Sequence, residues 1–178
     1  MDNRGAGASD KPAAEAYSTA EMAEDVIGLM DALCIKSAHL HGISMGGAIC
    51  QMVAIKHPQR VRSLILTSTY ARMDVVFRRA IEMLRDSCGQ VDGDTLNHIC
   101  QWIIYAHPFM NAHEDFILEA ERFDNENDKN PMPVFAYRAQ CNACLNHDSL
   151  DDLHKIHCPT LVAAGDHDYC ASVDVTKA

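Results

Sequence analysis

Several features that define large protein classes are scarce or missing in this sequence. No apolar stretch exceeds a handful of residues, whereas a membrane-spanning helix needs about 20. Basic residues are few: 15 Lys and Arg stand against 25 Asp and Glu, a formal net charge of −10. Such an acidic chain repels phosphate backbones and anionic lipid headgroups, which argues against nucleic-acid partners and against a membrane held by charge. The opening Met1-Asp2-Asn3-Arg4-Gly5 has no apolar leader core, so a soluble, cytoplasmic protein is expected. No Walker lysine is present, and Gly5-Ala6-Gly7 does not complete a dinucleotide fingerprint because Asp10 takes the third glycine position. No cofactor or metal is expected. Internal repeats are lacking as well.

The remaining composition is that of an ordinary globular domain, 48% hydrophobic and 22% charged over 178 residues. The eight cysteines include several within apolar runs (Cys34, Cys50, Cys100, Cys158), where a free thiol behaves as a small hydrophobe. A chain of this length buries a core without staples, so reduced structural thiols are expected.

Residues 1–17 have no hydrophobic period and predict a loop. Ser18-Thr19-Ala20-Glu21 fits a capping box, and Met22, Val26, Ile27, Met30 and Leu33 then recur at helical spacing to about Cys34. Ala38 to Ile43 has strand length. Met45 to His57 reads as a helix stopped by Pro58, and Val61 to Thr67 as a strand buried on both faces. Helix, strand, helix, strand predicts an α/β parallel sheet. Residues 72–155 carry no strand pattern. Helices are expected over Met73–Leu84, Leu96–Ala106, Glu114–Phe123 and Val134–Leu145, with a polar loop from Asp124 to Pro131. Strand character returns at Pro159–Gly165. The organisation expected is core at 1–71, an all-helical cap inserted at 72–155, and core again at 156–178.

Between the first strand and the following helix lies Gly42-Ile43-Ser44-Met45-Gly46, a match to G-x-S-x-G. Chance alone would supply about 0.06 such matches in a chain this long. Its placement between strand and helix adds weight, because a strand-to-helix turn holds the serine in strained geometry with its hydroxyl exposed. Gly42 and Gly46 are expected to remove Cβ collisions in the turn. The Met45 amide, at the helix start, can donate to an oxyanion. The competing reading is a plain serine helix cap.

These residues resemble the α/β-hydrolases of esterase, lactonase and C–C hydrolase type, with a flavour of the 3-oxoadipate enol-lactone hydrolases. Asp2 to Asp10 resembles the loop after that family's fourth strand. His41 to Gly47 resembles its nucleophile elbow, and Cys158 to Asp168 (CPTLVAAGDHD) the strand and turn bearing its acid. The resemblance implies Ser44 as nucleophile and Asp168, ahead of Asp166, as the acid orienting a histidine. It also implies a small-molecule ester, lactone or related carbonyl as substrate; a haloperoxidase-like activity uses the same triad.

Two departures stand out. The family order is Ser, acid, His, yet ten residues follow Asp168 and none is a histidine. The Asp2–Asp10 loop also begins at residue 2. The expectation is therefore a fold cut at both ends, with weak turnover or none. The alternatives are a non-catalytic homologue that binds a ligand or partner, and a zinc module built from Cys141, Cys144, His154 and His157, whose spacing misses the usual finger pattern. Arg72, Arg78 and Arg79 are candidates for a substrate carboxylate, although a solvated charged face is the stronger account of them. The cap's Met73, Phe77, Trp102, Tyr105, Phe109, Met110, Met132, Phe135 and Tyr137 are expected mostly as its own core, a few of them roofing a pocket.

Overall fold

The computed structural model describes residues 1–127, 129–168 and 170–171, the side chains of 124–127 excepted. Helix α1 (Thr19–Ala32) starts at the expected capping box: the Ser18 hydroxyl accepts from the Glu21 amide, and the Glu21 carboxylate accepts from the Ser18 amide. It ends in a Schellman turn, with Cys34 N donating to Asp31 O and Ile35 N to Met30 O. Cys34 occupies the left-handed position of that turn at φ 56°. It is therefore exposed and outside the helix, a correction to its reading as part of an apolar run.

Strand β1 (Ala38–Ile43), helix α2 (Met45–Lys56) and strand β2 (Val61–Thr67) follow as expected, and β3 (Thr160–Ala163) completes a parallel sheet of order β1-β2-β3. The pairings Ile43↔Thr67 and Thr67↔Ala163 bring the C-terminal ends of all three strands to one rim. Helices α1 and α2 cover one face. There Met22, Ile27, Met30, Ile49, Val53, Leu64 and Leu66 form the main core.

The other face differs from expectation. β2 alternates buried and exposed residues and is not buried on both sides. Among the described residues no helix lies over it, and Ile43, Ile65 and Leu161 are 59%, 40% and 60% exposed. Polar pairs across the strands stitch this face: His39 Nδ1 lies 2.7 Å from Ser63 Oγ, and His41 Nε2 3.1 Å from Thr67 Oγ1.

Between β2 and β3 the described chain is helical: α3 (Val75–Ser87), α4 (Gly93–Ile104), α5 (His107–Ala112), α6 (Glu114–Asn127) and α7 (Val134–Leu145), then a 3₁₀ turn at Leu150–Lys155. Asp74 and Asp92 cap α3 and α4 by accepting from Phe77 N and Thr95 N, each at 2.8 Å. Two details depart from the sequence reading. The short α5 was not expected; Pro108 sits in its first turn, where a missing N–H costs nothing. α6 also runs on to Asn127 through residues expected to be loop. Met73, Phe77, Tyr70, Ala48 and Cys144 pack together, Tyr70 edge-on to Phe77 at 4.9 Å. Leu84, Ile103 and Cys141 form a further cluster. Trp102, Phe109 and Phe135 are exposed instead of belonging to the insert's core.

All eight cysteines are free. Burial raises the Cys50 and Cys144 thiols to about 11 and Cys141 to about 12, so these groups are neutral packing atoms. No helix among the described residues is long and apolar enough to cross a membrane.

Two stability effects follow from these contacts. His147 is 5% exposed, its Nδ1 2.8 Å from Thr19 Oγ1 and its Nε2 without a partner. Burial lowers its pKa from 6.5 to about 4, with Asp148 opposing the shift. Between these values the unfolded chain takes up a proton that the folded chain refuses. Stability is therefore complete above pH 6.5 and declines by up to roughly 3 kcal/mol as the pH falls to 4. Urea titrations at pH 7, 5.5 and 4.5 should show this slope, and His147→Asn, which keeps a partner for Thr19, should flatten it. Cys34→Gly removes the left-handed strain and should raise stability by about 0.5–1 kcal/mol in the same assay.

Candidate active site

The elbow is built by the close crossing of β1 and α2. Ser44 sits at the helix N-cap position, but at φ 51°, ψ −121° it leaves the extended geometry a capping serine adopts, and its side chain makes no cap hydrogen bond. The plain-cap reading therefore fails, and the hydroxyl is free of backbone duty. A non-glycine residue in such a region carries about 1–3 kcal/mol of strain. Hydrogen bonds hold it there: Ser44 N donates to Thr67 O at 3.0 Å, while Ser44 O accepts from Gly47 N at 2.9 Å and Ala48 N at 3.2 Å. A third donor is the Thr69 hydroxyl, 2.7 Å from the same carbonyl. Ser44 is half-buried.

The glycines divide differently from expectation. A Cβ on Gly42 would lie 2.2 Å from Gly46 O and 2.5 Å from Gly47 N, a collision of backbone with backbone. A Cβ on Gly46 would meet nothing within 4 Å. The second steric requirement falls on Gly47, whose Cβ would lie 2.5 Å from Thr69. What Gly46 contributes is its carbonyl, which the Gly42 hydrogen faces.

Met45 is the first residue of α2, so its amide has no intrahelical acceptor and points out of the positive end of the helix dipole. Its side chain packs against both the main core and the Tyr70–Phe77 cluster. Asp168 lies beyond the C-terminal end of β3, on the same rim as Ser44 with β2 between them. Two strand spacings, about 10 Å, separate the two strands in the sheet. The Asp168 carboxylate accepts from Cys170 N at 2.9 Å and Ala171 N at 2.8 Å through one oxygen, Oδ1. Asp166 is exposed in the preceding turn.

No histidine among the described residues hydrogen-bonds Ser44. His41 points to Thr67 on the open sheet face, His57 to Glu24, His98 to Glu121, and His147 lies buried against Thr19. Arg72 forms ion pairs with Asp148 and Asp151, and Arg79 with Glu82. The zinc arrangement does not assemble: Cys141 and Cys144 face apolar clusters inside the insert, while His154 and His157 are exposed. A solvent-open cleft of about 1080 Å³, lined by Glu15, Arg85, Asp86, Phe135 and Arg138 among others, contains neither Ser44 nor Asp168.

A parallel sheet entering a strained serine turn, followed by a helix, defines an α/β-hydrolase core. The alpha/beta hydrolase fold profile matches residues 1–177, and the chain belongs to that family. It is 29% identical over 176 residues to "Putative carbamate hydrolase RutD" of Caulobacter sp., covering 99% of this chain and 65% of that protein. Over 65 residues it is 45% identical to a 2-hydroxymuconate semialdehyde hydrolase of Pseudomonas putida, covering 36% of this chain and 23% of that one. Among solved structures it resembles an alpha/beta hydrolase from a Medee basin deep-sea metagenome (TM-score 0.89, 22% identity, 99% of this chain, 64% of that chain). It also resembles the enol-lactonase of Burkholderia xenovorans (TM-score 0.79, 25% identity, 99% and 65%). The chain thus spans slightly under two thirds of the length of the carbamate hydrolase, the metagenome hydrolase and the enol-lactonase.

The glycine geometry gives a sharp contrast. Gly42→Ala should prevent soluble expression or cost more than about 3 kcal/mol, because backbone atoms cannot yield to it. Gly46→Ala should be neutral or stabilising by up to about 1 kcal/mol, as alanine favours the helix. Thermal melts of the two variants check the pair.

Proposed function

We propose that this chain carries the elbow, cap and acid of a serine hydrolase acting on an ester, lactone or related carbonyl compound. The observation that carries the reading is Ser44 itself, held at positive φ with no cap bond, beside a helix-start amide. The names borne by its relatives, a carbamate hydrolase, an enol-lactonase and a semialdehyde hydrolase, fit attack on an activated carbonyl carbon.

In this reading Ser44 Oγ adds to the carbonyl carbon and gives its proton to an imidazole. The Met45 amide, with at least one further donor, receives the negative oxygen. Collapse of the tetrahedral adduct breaks the bond to the leaving group, which takes the proton from the imidazolium. Water then releases the acyl group from Ser44 by the reverse sequence. Asp168 Oδ1 is occupied by its own turn, leaving Oδ2 to orient the imidazole and stabilise its charged form. In this proposal the imidazole is not one of the described histidines, none of which hydrogen-bonds Ser44. Residues 1–71 and 156–178 make up the core in this proposal, with 169 and 172–178 outside the described residues, and 72–155 the cap that shapes the pocket. That same lack of a base favours one second reading, a non-catalytic homologue that binds a ligand or partner.

Hydrolysis of a p-nitrophenyl ester separates the two. Without added base, the protein and its Ser44→Ala variant should turn over equally. Added imidazole should raise the rate of the unmodified protein above that of Ser44→Ala by about tenfold or more, a modest share of what a positioned base supplies. Asp168→Asn, which can still accept the two turn amides, should lower that excess. Equal imidazole-dependent rates in both proteins would establish the non-catalytic reading. Ser44-dependent turnover without imidazole would mean that a histidine of this chain serves as base.

A further inference from the structure

We infer that Thr69 is a positioning residue for Ser44: its buried hydroxyl clamps the carbonyl of the strained serine and fixes the direction of the neighbouring Oγ and Met45 amide. The inference rests on the proposed nucleophile role of Ser44 for its functional meaning, and on geometry alone for the clamp.

Thr69 is 3% exposed, and its hydroxyl donates to Ser44 O at 2.7 Å, the shortest of the three hydrogen bonds to that oxygen. The other two donors, Gly47 N and Ala48 N, belong to the first turn of α2 and would be met by any helix-capping residue. The Thr69 bond is different in kind, because it arrives from another strand connection and depends on a side chain. Three further features aim it. Ser68 adopts φ 45°, a second positive-φ position at the end of β2, and its amide is tied to Ala163 O at 2.8 Å. Gly47 lacks the Cβ that would lie 2.5 Å from Thr69, so the side chain can come this close to α2. Beyond Thr69 the chain is tethered again: Gln51 Nε2 donates to Tyr70 O at 3.1 Å, Ser149 Oγ to Gln51 Oε1 at 2.6 Å, and Ser149 N to Ala71 O at 2.9 Å. The segment 68–71 is thus a strap anchored to β3, to α2 and to the chain following α7, with one hydroxyl directed at the serine's own peptide.

The peptide plane of Ser44–Met45 contains both the carbonyl that Thr69 holds and the amide that would meet an oxyanion. Rotating the plane moves both groups at once. Loss of the clamp therefore affects transition-state stabilisation more than substrate binding.

The test compares Thr69→Val, of equal shape without the hydroxyl, with Thr69→Ser, which restores the donor. Two readouts are taken on the full chain: the backbone and Cβ carbon NMR shifts of Ser44 with the Met45 amide signal, and the imidazole-dependent ester turnover that requires Ser44. Expected for Thr69→Val is a displaced set of Ser44 and Met45 signals and a kcat lowered on the order of tenfold to a hundredfold with KM little changed. Thr69→Ser should return both to near their original values. Unchanged Ser44 signals and turnover in Thr69→Val overturn the inference. So does an equal loss in both variants, which would mark the methyl group and its packing as what matters. Should the unmodified protein show no Ser44-dependent turnover with imidazole, the nucleophile reading fails on its own. The NMR comparison then decides the clamp: displaced signals restored by serine support it, and unmoved signals overturn it.

Discussion

The backbone of α2 crosses the end of β1 so closely that a single methyl group on Gly42 would sit 2.2 Å from a carbonyl oxygen. That approach makes the turn at residues 42–47 as tight as it is, and the tightness forces Ser44 to positive φ. The strain, about 1–3 kcal/mol, persists because both backbone groups of the serine are engaged: its amide by β2, its carbonyl by two helix amides and a threonine. A looser crossing would let Ser44 relax to an ordinary helix cap, with its hydroxyl spent on an amide of the first turn. Site and fold therefore share one constraint. The parallel sheet brings the Asp168 turn to the same rim, and its register, Ile43 with Thr67 and Thr67 with Ala163, sets the spacing across which a bridging imidazole would have to reach.

The elements read most clearly from the sequence were those governed by local chemistry. Ser18 and Glu21 marked the start of α1 through a reciprocal pair of bonds that four residues suffice to specify. The elbow declared itself because strand, glycine, serine and helix pattern adjoin within a dozen residues. What escaped notice depended on distant partners. Thr69 is one of many hydroxyls in the sequence, and only the folded chain shows it 25 positions away on the carbonyl of Ser44. Gly47 was given no steric role of its own, while Gly46 was expected to relieve a crowding that it does not experience. α5 was hidden by Pro108, a residue that breaks helices in their interior and is welcome in their first turn. The uncovered face of β2 could not be foreseen from its apolar run. VRSLILT reads the same whether one side meets helices or solvent, and membership of that run says nothing about what else is present to cover it.

Polar side chains adapt to that open face in an informative way. His39 and His41, alternating along β1, each find a hydroxyl on β2, so the face is stitched where it is not packed. These two histidines are thereby committed to the sheet. His147, the most deeply enclosed imidazole with a defined partner, is committed to the junction of α1 with the end of the helical insert. Two other imidazoles pair with carboxylates away from Ser44, His57 with Glu24 and His98 with Glu121.

Met45 touches two hydrophobic clusters at once, one belonging to the sheet and one to the helical insert. Divergence in this lineage is then unevenly free. Replacements along α4 to α6 leave the thioether's neighbours alone, whereas replacements around Tyr70, Met73 and Phe77 press on the residue that follows the serine.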